Sequence, residues 1–465
     1  MGTDRLRSLD EANPGADMRI TRRQTLVGLA ALLASAHVMS AHAQTPPQPI
    51  VFVHGNGDTA GLWLTTLWRF ETNGYARDLL HAVDLKYPQA RAVDETPMAG
   101  RSSTGDVMRQ LADEVAAVRQ RTGAAKVILV ANSRGGNTVR NYLKNGGGAQ
   151  YTSLAILCGA VNHGVIKSDT ALVGSEFNGN SAFMRELNST PGEVVEGVRT
   201  VTIRSLDNDK FAQPDGRFLG QPGVATGIGF DGPELKGAEN VVLPRIDHRE
   251  TAFGPEAFAE MFKAITGKAP MSTTVARETG IVLDGKVSGF EAGAPTNIGV
   301  VGANVTVYRV ASDTGARQGE TVHTKTTGAD GLWGPFKAAN DAFYEFVVEV
   351  PGQATAHIYR SPFLRSSNFV HIRPQVLGKE DAAADAVVYM ARPRGYYGEG
   401  RGDKVELGGN PATGIPAGVA TVAVTRLVVA GAEQTTVAGQ FNGEAITARN
   451  WPMKENRVSV IELTW

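Results

Sequence analysis

Short apolar runs alternate with amphipathic segments between about residue 49 and residue 270. Runs such as residues 50–53 and 127–130 have the length and composition of buried strands. Between these two runs, apolar residues recur at the spacing of one helix face: Val107, Leu111, Val115 and Val118. This alternation predicts an α/β fold over residues 44–270, with a mostly parallel central sheet covered by helices on both faces.

The pattern changes after residue 270 to one typical of short strands joined by turns. Residues 305–308 and 346–350 are rich in β-branched and aromatic residues, and segments rich in Gly, Asp and Asn separate such stretches, as at residues 327–331. We therefore predict an all-β module over residues 280–465. Periodicity leaves two architectures open for it, one barrel or two small sandwiches.

Two long segments of the α/β half, residues 161–197 and 211–240, are rich in Gly, Asn, Ser and Pro. Insertions of this length beside a sheet edge serve either as lids and pocket walls or as plain surface loops. The sequence leaves both interpretations open.

The N-terminal segment has the features of an export signal. Arg22 and Arg23 precede an apolar run over residues 26–36, and small residues at 41–43 offer a cleavage site. The paired arginines favour the twin-arginine route over an ordinary secretory signal for residues 1–43, and either route places the mature protein in the periplasm or the medium. The apolar run is too short and too rich in alanine for a membrane span, so we expect none in the mature chain.

Charge and cysteine content narrow the function classes. The 46 basic and 47 acidic residues nearly cancel, which argues against a nucleic-acid partner. The single cysteine, Cys158, excludes an intramolecular disulfide and is predicted to be a buried thiol at a strand end. No set of His or Cys residues has zinc-ligand spacing and no glycine-rich phosphate loop occurs, so we expect no metal and no cofactor.

The most specific local pattern is Ala131-Asn132-Ser133-Arg134-Gly135, which joins a predicted strand to a predicted helix. In a nucleophile elbow, a serine occupies a sharp strand-to-helix turn, and the residues two before and two after it must be small because the chain folds tightly there. Ala131 and Gly135 meet this requirement. Ser133 is therefore the predicted catalytic nucleophile.

A serine hydroxyl needs a base to remove its proton, and the base needs a carboxylate that holds its tautomer. Elbow serines of this kind are followed along the chain first by the acid and then by the histidine. His248 lies in a loop after the last predicted strand and is the predicted base. His163 comes too early in the chain and is interpreted as a pocket-wall or loop residue.

The predicted acid follows the strand at residues 198–203. Asp207 and Asp209 both occupy this strand-end turn, and we assign Asp209 as the acid and Asp207 as a cap of the turn. Asp247 directly precedes the base, and the side chains of adjacent residues diverge. We therefore interpret Asp247 as a solvated or turn-forming residue.

Catalysis at an ester also needs backbone N–H groups that stabilise the oxyanion. We assign these to Arg134, the residue after the nucleophile, and to Asn56, in the glycine-containing loop after the first strand. His54, in the same loop, is predicted to hold the loop by hydrogen bonds rather than to serve as a second base.

The chain resembles the bacterial and archaeal lipases of the α/β-hydrolase superfamily. In the first half, the resemblance rests on residues 49–55, residues 69–75, the Ser133 elbow, residues 209–214 and residues 247–251. In the second half, it rests on residues 344–346, 358–363 and 449–451, which are similar to the C-terminal β-barrel of two-domain archaeal lipases. The resemblance implies an α/β-hydrolase fold followed by a barrel that helps to accommodate long acyl chains.

The chain departs from those lipases in two ways. The archaeal relatives carry an aspartate after the strand that here ends at Cys158, so the resemblance implies that the acid has moved to Asp209. Asn132 and Arg134 also replace the histidine and the methionine or glutamine common around such serines. These changes bear on substrate preference more than on reaction type.

These expectations describe an exported serine carboxylic-ester hydrolase, a lipase or esterase, that acts on lipid-like esters, including esters presented at an interface. Two alternatives remain: an aliphatic polyester depolymerase with the same triad, and a catalytically silent protein whose β module binds a surface. The intact order of serine, acid and histidine favours an enzyme.

Overall fold

The computed structural model describes residues 47–189, 192–216, 223–431 and 433–465. The predicted export signal, residues 1–43, lies outside these described residues. Within them, no helix combines the length and the apolar character that crossing a bilayer requires.

Parallel strands form the central sheet of the first half. They are β1 (Ile50–Val53), β2 (Leu80–Val83), β3 (Val127–Asn132), β4 (Thr152–Cys158), β5 (Arg199–Ser205) and β6 (Glu239–Leu243). Their order is β2-β1-β3-β4-β5-β6, and each neighbouring pair is parallel. Every residue of the central strand β3 is buried, which explains the unbroken apolar run in the sequence.

Helices cover the two faces of this sheet. They are α1 (Leu64–Thr72), α2 (Thr104–Thr122), α3 (Arg134–Asn145), α4 (Ala182–Leu187), α5 (Glu250–Phe253) and α6 (Pro255–Thr266). Ser103 caps α2 and shares a capping box with Asp106, and Gly123 ends this helix in the left-handed conformation. The residues that α2 buries are those with helical spacing in the sequence: Val107, Leu111, Val115 and Val118. The predicted α/β class with a parallel central sheet is confirmed.

The second half consists of short strands. They are β7 (Ile281–Leu283), β8 (Ser288–Glu291), β9 (Ala294–Gly299), β10 (Asn304–Val310), β11 (His323–Thr326), β12 (Phe336–Ala338), β13 (Phe343–Glu349), β14 (Thr355–Arg360), β15 (Ala386–Ala391), β16 (Val405–Leu407), β17 (Asn410–Pro411), β18 (Val424–Val429), β19 (Thr436–Phe441), β20 (Glu444–Arg449) and β21 (Arg457–Glu462). The all-β character predicted for this half is confirmed.

A seven-stranded mixed sheet organises the second half, with the order β11-β10-β13-β14-β21-β15-β18. Successive residues of its strands point into two different apolar cores: Val387 and Val460 belong to one core, whereas Val388 and Ile461 belong to the other. The four-stranded sheet β17-β16-β19-β20 contributes to the second core. Among the described strands, the hydrogen-bonded order runs from β11 to β18 without closing, so the architecture is a set of packed sheets.

The two halves pack against each other directly. The Trp68 indole N–H donates to the carbonyl of Ser366 at 3.0 Å, and the Asn297 side-chain amide donates to the carbonyls of Leu85 at 2.9 Å and Asp58 at 3.0 Å. Residues Pro47–Trp465 consequently form one compact unit. The change from α/β to all-β structure falls in the segment between α6 and β7.

Candidate active site

Ser133 occupies the turn between β3 and α3 in a strained backbone conformation. Its φ is 55° and its ψ is −125°, a combination that L-residues rarely adopt. The Ser133 N–H donates to the carbonyl of Cys158 at the end of β4 at 3.0 Å, which ties the turn to the neighbouring strand. A buried strand and a buried helix therefore hold the serine in the geometry of a nucleophile elbow.

Two glycines allow the chain to close around this elbow. A Cβ atom on Gly135 would lie 2.6 Å from the carbonyl oxygen of His54 and 2.7 Å from that of Val53. A Cβ atom on Gly55 would lie 2.9 Å from the Cβ of Ser133. The small residue that the sequence pattern requires after the serine is thus explained by the approach of the β1 loop.

The substitution Gly135→Ala is expected to lower the free energy of unfolding by about 3 kcal/mol, because the new methyl group meets rigid backbone carbonyls. Gly105→Ala is the matched control. A Cβ there would lie 3.2 Å from the end of the flexible Arg109 side chain and 3.8 Å from Ser103 Oγ, an ordinary contact, and alanine favours a helix over glycine by up to about 1 kcal/mol. Urea unfolding monitored by circular dichroism measures both. Equal effects of the two substitutions would contradict the close packing at the elbow.

The predicted base and acid form a buried pair. Asp209 follows β5 and His248 follows β6, and His248 Nδ1 lies 2.8 Å from Asp209 Oδ2 and 2.9 Å from Oδ1. The Phe211 N–H donates to Asp209 Oδ1 at 2.8 Å and so fixes the carboxylate. A carboxylate at this position accepts a hydrogen bond from Nδ1–H, and in that tautomer of the neutral imidazole Nε2 is the proton acceptor. Among the described residues, His248 Nε2 is buried and has no hydrogen-bond partner.

Asn132 joins the elbow to the histidine loop, a role that the sequence did not indicate. Its side-chain amide donates to the carbonyl of Cys158 at 2.9 Å, to Thr251 Oγ1 at 3.2 Å and to the carbonyl of His248 at 3.4 Å. Asparagine at this position therefore couples the turn that carries Ser133 to the backbone that carries His248.

The Arg134 side chain makes a second connection that sequence reasoning missed. It forms a bidentate ion pair with Glu176, with Nε at 2.6 Å from Oε1 and Nη2 at 2.9 Å from Oε2, and both side chains are almost fully buried. Its Nη1 donates to the carbonyl of Pro88 and to Ser102 Oγ, each at 3.0 Å. The side chain thus binds three separate segments around the elbow, and its backbone N–H lies in the first turn of α3.

Ser133 and His248 line one cavity of about 250 Å³. Its walls are mostly apolar and come from the two long segments of the first half: Val161, Val165, Leu172, Phe177 and Phe211. These five residues of the two segments therefore form cavity walls, which is one of the two interpretations left open by the sequence. Tyr396, from the second half, also lines the cavity, and no sequence signal pointed to it.

The residues assigned to the oxyanion site lie next to Ser133. Asn56 lines the same cavity, and its Oδ1 accepts a hydrogen bond from the Ala90 N–H at 2.8 Å, which fixes the loop. The Arg134 N–H belongs to the first turn of a helix, where backbone N–H groups have no intrahelical acceptor. The role of both residues as oxyanion donors stays a prediction.

The other two histidines weighed as candidates have structural surroundings. His54 is buried, its Nδ1 lies 2.9 Å from the carbonyl oxygen of Gly55, and its Nε2 accepts from the Leu85 N–H at 3.1 Å; burial lowers its pKa. His163 contacts the carbonyl of Gly232 and Glu193 Oε1, and it does not line the cavity with Ser133. Across the described part of the chain, no group of three or more His, Cys, Asp or Glu residues is placed to hold a metal ion.

Asp247 corrects one expectation. It is fully buried, so the interpretation as a solvated residue is wrong, although it does form the turn by accepting from the N–H groups of Arg249 at 2.7 Å and Glu250 at 2.9 Å. Its other oxygen pairs with Arg392 Nη1 of the second half at 2.7 Å. The sequence could not indicate this role, because the partner, Arg392, is 145 residues away along the chain.

Asp207 is exposed, and the turn that it was expected to cap is capped by Ser205. Ser205 Oγ accepts a hydrogen bond from the Asn208 N–H at 3.0 Å. Of the two aspartates in this turn, only Asp209 is buried and contacts the histidine.

Lys210, next to the acid, is a charged residue in an apolar environment. Its Nζ lies 4.0 Å from the ring centre of Tyr396 and 4.9 Å from that of Phe211, and it donates to the carbonyl of Thr421 at 3.1 Å. Burial, with the neighbouring Arg249, lowers the pKa of Lys210 to about 8. At pH values between about 8 and the ordinary lysine pKa, Lys210 is mostly neutral in the folded chain and mostly protonated in the unfolded chain. The contribution of Lys210 to the free energy of unfolding therefore rises with pH in this range.

Comparison with Lys210→Met isolates this contribution. The free energy of unfolding of the wild type relative to Lys210→Met is expected to be larger at pH 9.5 than at pH 7.5, as measured by urea unfolding at both values. Lys236 is exposed, and the control variant Lys236→Met is expected to keep the pH dependence of the wild-type free energy of unfolding. A difference that is flat or falls with pH would show that the Lys210 amine is not desolvated.

Comparison with protein-family models identifies two segments of the chain. Residues 47–215 match the model described as lipase (class 2), and residues 279–377 match the model described as lipase C-terminal domain. Among curated proteins, no sequence match was found.

Solved structures with a similar chain path include three lipase structures. The Bacillus licheniformis lipase BlEst2 in its mature form is 20% identical, with 48% of this chain and 94% of that chain covered and a TM-score of 0.36. Its propeptide form is 16% identical, with 87% and 93% covered and a TM-score of 0.36. Aspergillus fumigatus lipase B is 17% identical, with 50% and 55% covered and a TM-score of 0.35.

The two matched segments coincide with the two kinds of structure in the chain. The matched lipase segment contains β1 to β5, the elbow and Asp209, and the second match begins in the segment before β7. The chain is therefore an α/β-hydrolase of the lipase type, in which a class 2 lipase segment is followed by a lipase C-terminal domain.

Proposed function

We propose that this protein is a serine carboxylic-ester hydrolase that cleaves lipid-like esters through an acyl-enzyme. The proposal rests on the surroundings of His248. Its Nδ1 pairs with Asp209, and its Nε2 has no hydrogen-bond partner among the described residues. His248 also lines the same cavity as Ser133. A base with this tautomer is prepared to take a proton from a serine hydroxyl.

In the first half of the proposed reaction, Ser133 Oγ attacks the ester carbonyl carbon as His248 Nε2 takes its proton. The tetrahedral intermediate then collapses, the bond from carbon to the alcohol oxygen breaks, and His248 returns the proton to the leaving alcohol. In the deacylation step, a water molecule attacks the acyl-enzyme with His248 again as base, which releases the carboxylic acid and restores Ser133. Asp209 holds the imidazole in place through acylation and deacylation.

The oxyanion is assigned to the backbone N–H groups of Asn56 and Arg134. Removing one such donor from an oxyanion site typically costs about 3 kcal/mol of transition-state stabilisation, so the rigidity of both loops bears directly on rate. The ion pair of Arg134 with Glu176 and the hydrogen bond of Asn56 with Ala90 supply that rigidity.

Substrate class follows from the cavity that holds the serine. Its walls are mostly apolar, and its volume of about 250 Å³ is below that of typical drug-sized ligand pockets, at about 300 Å³ or more. We expect short acyl groups to be accommodated best. The arginine pair before the apolar run at residues 26–36 supports export of this enzyme by the twin-arginine route.

The experiment is a comparison of the wild type with Ser133→Ala on a chain-length series of nitrophenyl esters, a triglyceride emulsion and an aliphatic polyester film. The proposal predicts turnover that depends on Ser133 and is fastest for short acyl chains in solution. Turnover mainly on the film would favour the polyester alternative. The absence of any turnover that depends on Ser133 would overturn the proposal and leave a surface-binding protein.

A further inference from the structure

A second cavity, of about 290 Å³, lies between the two halves of the molecule next to the catalytic one. Asp58 and Arg249 line both cavities, and their side chains form an ion pair with each other. The second cavity is lined by four arginines: Arg249, Arg360, Arg373 and Arg394. This concentration of guanidinium groups belongs to no part of the mechanism above.

Only part of this positive charge is neutralised by the cavity walls. Asp58 pairs with Arg249, and Glu462 pairs with Arg360 at 2.7 Å. No described carboxylate forms an ion pair with Arg373 or Arg394. The lining therefore has four arginines and two carboxylates, and Asp84 and Glu444 act on Arg373 and Arg394 from outside the lining.

The two unpaired arginines are held in place by neutral oxygen atoms. Arg373 donates to the carbonyl of Gly57 at 3.0 Å and to Asn297 Oδ1 at 2.7 Å. Arg394 donates from Nε to the carbonyl of Thr464 at 2.9 Å and from Nη2 to that of Leu463 at 2.7 Å. These contacts orient the guanidinium groups without cancelling their charge.

Some donors of the arginines are left unused. Within the described residues, the Nε atoms of Arg360 and Arg373 are buried without a hydrogen-bond partner, and the Arg360 residue is only 4% exposed. Burial lowers the pKa of Arg394 to about 10, which reflects the cost of keeping its charge away from water. Buried donors and buried positive charge are both stabilised by an anion that accepts hydrogen bonds.

We propose that this cavity is a binding site for a small carboxylate or phosphate anion. Ile358, Phe369 and Val460 also line it, so the anion has room for a short apolar group beside its charged end. The anion is either free in solution or the charged end of an ester whose other end occupies the catalytic cavity, because Asp58 and Arg249 are shared between the two.

Substitution of Val424 tests the proposal without changing any arginine. Val424 lies at the start of strand β18, lines the cavity and is 39% exposed. Val424→Glu adds a negative charge to the lining, and Val424→Gln is its neutral control of the same shape. Calorimetric titration of the full chain with butyrate and with inorganic phosphate is expected to show saturable binding of at least one anion. Val424→Glu is expected to weaken that binding about tenfold, and Val424→Gln is expected to leave it nearly unchanged.

A second pair of variants addresses the arginines themselves. Arg394→Gln is expected to weaken anion binding about tenfold or more, because a charge-assisted hydrogen bond is lost. Arg365→Gln is the matched control, since Arg365 joins the two halves through Glu71 at 2.9 Å but does not line the cavity. Absence of saturable binding by both anions, or equal affinities in Val424→Glu and Val424→Gln, would overturn the proposal.

The source of the anion is settled by kinetics on two esters of similar length, nitrophenyl butyrate and the nitrophenyl half-ester of succinate. A lower KM for the charged ester that is lost in Val424→Glu and kept in Val424→Gln assigns the site to the charged end of a substrate. Equal KM values, with anion binding present, assign it to a free anion. This comparison rests on the proposed esterase activity, whereas the calorimetric titration does not, so the two proposals fail separately.

Discussion

Replacing Ser133 by alanine is expected to reduce ester turnover by about four to six orders of magnitude while leaving the fold intact. The hydroxyl oxygen is the only heavy atom removed, and the hydrogen bond of the Ser133 N–H with the Cys158 carbonyl remains. Without the hydroxyl, no acyl-enzyme forms, and only the slow attack of water in the cavity is left. Initial rates on a short nitrophenyl ester measure the loss.

The control for this substitution is Ser153→Ala. Ser153 lies on β4 of the same sheet, its Oγ contacts Gln48 Oε1, and it does not line the catalytic cavity. Ester turnover by Ser153→Ala is expected to equal that of the wild type. If Ser133→Ala keeps more than about a hundredth of the wild-type rate with an unchanged circular dichroism spectrum, then Ser133 is not the nucleophile.

The second large effect is expected for Asp209→Asn, which should lower kcat by about three to four orders of magnitude. The shape of the side chain is preserved, but an amide donates as well as accepts, so the His248 ring is no longer held with its proton on Nδ1. Nε2 then loses the lone pair that accepts the serine proton. KM is expected to change little, because Asp209 does not line the cavity.

The chain supplies a matched control two residues away. Asp207 lies in the same turn but is exposed and has no contact with the histidine, so Asp207→Asn is expected to keep the wild-type kcat. A large loss of kcat in Asp207→Asn with a small one in Asp209→Asn would reassign the acid.

Local sequence features were sufficient to predict the sheet, the strand-to-helix turn at Ser133 and the contact between Asp209 and His248. The apolar run of β3 and the small residues around Ser133 reflect short-range sterics, which can be recognised in a few consecutive residues. The carboxyl ends of the parallel strands meet at one edge of the sheet. For this reason Asp209 and His248, each in a loop after its strand, come together in the structure.

Contacts between distant parts of the chain could not be predicted in this way. The burial of Asp247 depends on Arg392, and the cavity wall includes Tyr396, both from the β half. The ion pair of Arg134 with Glu176 joins the elbow to a loop without regular pattern. Such contacts depend on how the loops and the β half pack on the sheet, and neither composition nor periodicity encodes that packing.

The second half is therefore part of the surroundings of the candidate active site. Arg392 pairs with Asp247 at 2.7 Å and with Glu250 at 2.6 Å, on either side of His248 and Arg249. Tyr396 places its ring against Lys210 and Arg249 at the cavity. The histidine loop is thus fixed from one side by the sheet, through Asn132, and from the other by the β half.

The central claim, that Ser133 is activated by His248 to attack an ester carbonyl, is tested most directly by labelling the full chain with a nitrophenyl alkylphosphonate and locating the adduct by peptide mass spectrometry. The account predicts one covalent adduct, on the peptide that contains Ser133, which is absent in Ser133→Ala and forms far more slowly in Asp209→Asn. An adduct on another residue, or none under conditions in which the wild type hydrolyses esters, would contradict it.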